Sequence, residues 1–126
     1  MILCTIKLSV SRDNKGEVLR LLRPLVDPTQ SFSGCADCHL AIDAKDEHLI
    51  YFAMSWSNRQ DLERYICSDY FLAVLTAMDL CNKPPQVCFQ NVSGIQGMEY
   101  IRKVRRIIPI MSRKFTVRSL TASLST

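Results

Sequence analysis

The first ten residues alternate with a period of two. Ile2, Cys4, Ile6, Leu8 and Val10 fall on one side, Leu3, Thr5, Lys7 and Ser9 on the other. That pattern belongs to a β-strand with one buried face. A strand of this kind is not stable alone. The chain must supply partner strands and a layer of side chains to cover the apolar face.

The following residues supply both. Asn14 as an N-cap with Glu17 three residues on predicts a helix start, with Val18, Leu22, Leu25 and Val26 at helical spacing. Pro24 predicts a kink, and Asp27-Pro28 an end. Phe32-Ser33-Gly34 opens a second strand reaching about Asp43, and the polar turn Ala44–Glu47 leads into a third. There Ile50, Phe52, Met54 and Trp56 face away from Leu49, Tyr51, Ala53 and Ser55. Both faces are fairly apolar, which predicts a central strand.

Ser57-Asn58-Arg59-Gln60 repeats the capping pattern and begins a second helix, with Leu62, Tyr65 and Ile66 inward. Ser68 reads as a second cap or a kink, and Phe71, Val74, Leu75 and Met78 carry the stripe to about Leu80. Pro84-Pro85 stops it, and Gln86 to Val92 is a fourth strand. The order β-α-β-β-α-β is the ferredoxin-like plan, an α+β fold with a four-stranded antiparallel sheet and two helices on one face.

Composition narrows the class. With 48% hydrophobic residues, four Gly and five Pro, the chain is neither fibrous nor mostly disordered. No apolar run approaches the roughly 20 residues of a membrane helix. The first residues lack a basic n-region and a small-residue cleavage site, so the expected compartment is the cytoplasm, with the six cysteines reduced. The net charge of +4 is unevenly split. Residues 1–98 hold nine Lys/Arg against eleven Asp/Glu, whereas residues 99–126 hold seven basic residues against Glu99 alone. The expected organisation is therefore a folded body over 1–98 and a basic extension over 99–126. In that extension Ile101, Val104 and Ile108 lie at helical spacing, and Lys114–Ser119 reads as strand-like. Aromatics are not regularly interleaved with the basic residues and no nucleic-acid motif is visible. The segment is therefore expected to be a solvated arm or one latched onto a partner subunit's acidic body, with neither nucleic acid nor a membrane as partner.

Cys35-Ala36-Asp37-Cys38-His39 matches the C-x-x-C-H string of covalent haem attachment. It also offers Cys35, Cys38 and His39 as weak metal candidates, with Cys81 or Cys88 completing a zinc set. An extended strand argues against haem, because it sends Cys35 and Cys38 to opposite faces, and the six residues between Cys81 and Cys88 argue against a zinc knuckle. The expectation is no metal and no cofactor, with the two thiols packed as small apolar groups.

Trp56-Ser57, Leu62, Tyr65, Ser68-Asp69 and Phe71 together resemble the W-S-x-x-x-[LF]-x-x-[aromatic or H]-x-x-S-x-x-F pattern of antibiotic-biosynthesis-monooxygenase-like (ABM) domains. Gly34-Cys35 is similar to the opening of that family's second strand. The resemblance covers about residues 1–98. It implies a dimeric α/β barrel in which two ferredoxin-like subunits pack their sheets together, each with a pocket between sheet and helices. It also implies, for some members, oxidation of phenols, quinols or anthrones by O₂ without metal or flavin. Trp56 matches a pocket-lining position of the family.

By periodicity Phe52, Tyr65 and Phe71 join Trp56 as lining, and His39 is the imidazole available as a base. A haem-degrading branch of the superfamily fits less well. Leu75 stands where its haem-ligating His falls, and Ile6 and Lys7 where it carries an Asn. The expected function is cofactor-independent monooxygenation of a small aromatic, phenolic or quinol-type compound by a homodimer. The alternatives are a non-enzymatic dimeric module binding a small apolar ligand in the same pocket, and a metal or haem protein through Cys35, Cys38 and His39.

Overall fold

The computed structural model describes residues 1–106. The chain divides into two compact units, Met1–Ser93 and the segment from Gly94 onward. In the first unit β1 (Ile2–Ser9), β2 (Cys35–Ile42), β3 (Leu49–Trp56) and β4 (Gln86–Asn91) form one sheet in the order β2-β3-β1-β4. Every pairing is antiparallel. This is the ferredoxin-like arrangement, with β1 and β3 central.

Register explains the alternation. Cross-strand partners share a face, so four rows of side chains line one side of the sheet. They are Cys35–Trp56–Ile2–Asn91, Cys38–Met54–Cys4–Phe89, Leu40–Phe52–Ile6–Val87 and Ile42–Ile50–Leu8. Cys4, Ile6, Leu8, Ile50, Phe52, Met54, Trp56 and Cys38 are buried there. The helices α1 (Arg12–Leu22), α2 (Val26–Gln30), α3 (Arg59–Ile66) and α4 (Asp69–Asp79) add Val18, Leu19, Leu22, Leu62, Tyr65, Phe71, Val74 and Ala77 to the same core. Burial of each large apolar side chain contributes about 1.5–3 kcal/mol before chain entropy is counted. The sheet's other face carries Thr5, Lys7, Tyr51, Ala53, Ser55 and His39.

Several boundaries differ from the sequence expectation, each for a local reason. The first helix begins at Arg12, because the Ser11 side chain accepts from the Asn14 N–H. Asn14 instead sits inside the first turn and donates from Nδ2 to the Leu80 carbonyl at 3.2 Å. Pro24 falls in a 3₁₀ turn, Arg23–Leu25, that bends the path between α1 and α2. Pro28 does not end the helix: it lies in the first turn of α2, where no backbone N–H is needed, and the helix runs on to Gln30.

At α3 the cap is Asn58, one residue later than the Ser57-based pattern. Its side chain accepts from the Asp61 N–H at 2.9 Å and its amide donates to the Asp61 carboxylate. Ser68 does divide the second helical segment, donating to the Tyr65 carbonyl at 2.6 Å. Leu75 faces solvent, and Ala77 takes the buried position in its place.

In the second unit, α5 spans Met98–Arg106. Ile108 and the strand-like reading of Lys114–Ser119 lie outside the described residues.

Gly34 is where the backbone demands glycine. It has φ of +86°, its carbonyl accepts from the Ser57 N–H at 2.8 Å, and a Cβ there would collide with the Asp61 side chain. Gly34→Ala is therefore expected to destabilise the fold by about 2–3 kcal/mol, combining left-handed strain with displacement of the α3 cap. Urea unfolding measures it, and a loss below about 0.5 kcal/mol contradicts this account of the turn.

Candidate functional site

The helix face of the sheet is not fully roofed. On β4, Phe89 is 49% exposed and Val87 43%, although they share rows with fully buried residues of β1 and β3. Next to them an open cleft of about 260 Å³ lies between α3 and the β1–β4 edge. Ile2, Leu62, Ile66 and Phe89 give it apolar walls; Arg59, Glu63, Gln90 and Asn91 give it a polar rim. Arg59 Nε and Glu63 Oε1 are 3.7 Å apart across one helical turn. An engineered apolar cavity of about 150 Å³ admits benzene, so this cleft has room for a substituted ring.

The sheet places Trp56 behind this cleft. Ile2 stands in register between Trp56 and Asn91, so one strand separates the tryptophan from the cleft wall. Trp56 is fully buried in an aromatic cluster: its ring is 5.0 Å from Tyr65 and 6.1 Å from Phe32, centroid to centroid, and Tyr65 is 5.7 Å from Phe71. Yet its indole Nε1 meets no acceptor among the described residues. An unpaired buried donor costs about 1–3 kcal/mol, and native proteins rarely leave one without a reason.

Behind the cluster lies a buried polar pair. The Tyr65 hydroxyl lies 3.0 Å from Thr29 Oγ1. Gln30 Nε2 donates to the Cys38 carbonyl at 2.8 Å, fastening α2 to β2.

The structure scatters the residues singled out from sequence. Trp56, Tyr65 and Phe71 come together as one buried cluster, and Phe52 lies fully buried two rows further along. None of the four is on the cleft wall. His39 pairs in register with Ala53 on the sheet's other face, 3.2 Å from Asp37 Oδ2 and more than half exposed.

Cys35 and Cys38 correct the expectation of opposite faces. A bulge after Cys35 pairs it with Trp56 while Cys38 pairs with Met54, so both thiols lie on the helix face. The bulge takes up Ala36, but normal alternation resumes at Cys38 and sends His39 the other way. The two thiols and the imidazole therefore do not converge. Among the described residues no group of His, Cys, Asp and Glu is arranged to hold a metal.

The cleft residues were not singled out from sequence. Arg59, Glu63, Gln90 and Asn91 sit at exposed positions on a helix and an edge strand, where polar side chains are ordinary. Only the pairing of β4 with β1 brings them together.

The antibiotic biosynthesis monooxygenase family model matches residues 1–77. The chain belongs to that family. The match runs from β1 through most of α4, so it takes in Trp56, α3 and the Ile2 wall of the cleft. Solved structures share the fold. A candidate antibiotic biosynthesis monooxygenase from Deinococcus radiodurans superposes with a TM-score of 0.70 at 15% identity, covering 78% of this chain and 98% of its own. One from Nitrosomonas europaea gives 0.68 at 14%, covering 75% and 100%. A protein of Mycobacterium tuberculosis gives 0.70 at 16%, covering 76% and 98%. No curated protein matches the chain.

Burial in this ABM core sets how the protein responds to alkali. Desolvation, with the nearby Cys88, pushes Cys4 from 9.0 up to about 11. Desolvation pushes Cys38 from 9.0 up to about 12, and Tyr65 from 10.0 up to about 12. The folded chain thus keeps protons that the unfolded chain releases. The stability from these groups is fully present below about pH 9 and is lost as pH rises toward 12, at no more than about 1.4 kcal/mol per pH unit for each group. Urea unfolding at rising pH should follow that course, with a shallower decline in Cys38→Ala. An unchanged slope in that variant contradicts the assignment.

Proposed function

We propose that the cleft binds a small aromatic compound bearing an ionisable hydroxyl or an activated ring carbon, and that the protein oxidises it with O₂ without a resident cofactor. The observation that carries this reading is the composition of the cleft: four apolar walls that take the faces of a ring, and a rim with donors on one side. Arg59 on α3 and the side-chain amide of Asn91 on β4 can hold a phenolate oxygen. Glu63, on the same wall, is the proton acceptor we assign to the site. His39, on the sheet's other face, cannot reach this cleft within one subunit.

Chemically the protein needs to favour the deprotonated substrate. That anion gives an electron to O₂, and recombination forms a carbon–oxygen bond and a hydroperoxide. Cleavage of the O–O bond then leaves a carbonyl and water. For a ring methylene, R₂CH₂ and O₂ become R₂C=O and H₂O, so the substrate supplies every electron. Family membership supports the reading, and the unpartnered indole N–H of Trp56, one strand behind the cleft, is a further donor at this end of the sheet. We propose also that the protein acts as a homodimer through the exposed sheet face, as the resemblance to dimeric barrels implies.

Oxygen uptake with hydroquinones, naphthohydroquinones and anthrones tests the proposal. Turnover above the uncatalysed rate is expected, with kcat/KM lowered about 100-fold in Glu63→Gln and about 10-fold in Phe89→Asp, which charges the apolar wall. No uptake with any of them, alongside saturable binding of the same compounds, replaces the enzyme with a ligand-binding module.

A further inference from the structure

Helix α5 is amphipathic in an unusual way. At 100° per residue, Tyr100, Val104 and Ile101 fall within about 100° of its circumference, and Arg105, Arg102, Arg106 and Lys103 span about 160° of the remainder, with the exposed Met98 of the first turn among them. Tyr100 and Ile101 are each more than half exposed, Val104 is 41% exposed, and the helix buries no residue. Its acidic residue, Glu99, is taken up at the start of the helix, where Oε1 accepts from the Gly97 N–H at 2.9 Å. Residues 107–126 add Arg113, Lys114 and Arg118 and no acid.

We infer that α5 is an interfacial helix that docks the protein on an anionic lipid surface. The two arcs select this partner. A nucleic-acid phosphate lattice would use the cations and leave Tyr100, Ile101 and Val104 in water. A lipid interface takes both: the apolar arc enters the headgroup boundary while the cations remain at the anionic headgroups. A tyrosine at the border between the arcs suits the same depth, with its ring in the apolar layer and its hydroxyl in the wet one. This departs from the expectation of no membrane partner, which rested on charge and aromatic spacing along the sequence and not on the helix face. No helix among the described residues is long and apolar enough to cross a membrane, so the inferred attachment is peripheral.

Co-sedimentation of the full chain with vesicles of phosphatidylcholine alone, and of phosphatidylcholine with phosphatidylglycerol at about three to one, tests this. Binding is expected only to the anionic vesicles and should weaken as salt is raised. The triple variant Arg102→Gln, Lys103→Gln, Arg106→Gln should bind about 100-fold more weakly. Ile101→Ser with Val104→Ser should lose about 10-fold at unchanged charge. Both variants should retain the melting midpoint of the parent. The inference is overturned by absent vesicle binding, by binding that either variant leaves intact, or by preference for a random DNA duplex. It is also overturned if these substitutions abolish self-association while vesicles remain unbound.

Discussion

The fold depends on the burial of one face of β1 between β3 and β4. Ile6 and Leu8 are fully buried and Cys4 nearly so, and each is flanked in register by an apolar residue of β3. A slip of one residue would turn Lys7 and Thr5 into that core and put Ile6 and Leu8 on the open face. Register is therefore fixed, and with it the position of everything attached to the strand ends. Trp56 ends β3 opposite Ile2, which begins β1, and Asn91 closes β4 on Ile2's other side. The cleft, its wall and the buried tryptophan are consequences of the two pairings of β1.

The bulge at Cys35 shows how a single extra residue changes the chemistry available. Without it, alternation would separate Cys35 from Cys38. With it, both thiols enter the helix face, but His39 leaves. Cys38 is fully buried in the core, and that burial pushes its thiol up to about 12. A protonated, enclosed sulfur is a poor nucleophile and a poor ligand. The same string of residues that reads as a haem or zinc motif is here a means of fastening α2 to β2.

Much of the fold was legible because it rests on local periodicity. The alternation of β1 and β3, the stripe through Leu62, Tyr65, Phe71 and Val74, and the break at Ser68 are all short-range signals. The α1 start was missed because Ser11 and Asn14 are both good caps, and only the tertiary bond from Asn14 to Leu80 decides between them. The aromatic residues Phe52, Trp56, Tyr65 and Phe71 were legible as inward-facing. Inward-facing does not distinguish the packed centre from a cleft wall. The cleft depends on which helix stops short of β4, and on partners some sixty and ninety residues apart in the chain, such as Ile2, Leu62 and Phe89. No window along the sequence contains that information.

The unpaired indole of Trp56 and the unroofed edge of β4 are two deficits of one packing arrangement. Helix α3 covers Trp56 and Ile2 but leaves Phe89 and Val87 partly in water. Closing the edge with a larger residue on α3 would recover apolar burial, yet it would fill the recess that adjoins the Trp56–Ile2 row. A chain optimised for stability alone would fill that recess and supply the indole with an acceptor. The cost carried in both places, of order 1–3 kcal/mol for the donor alone, is what leaving this end of the sheet open entails.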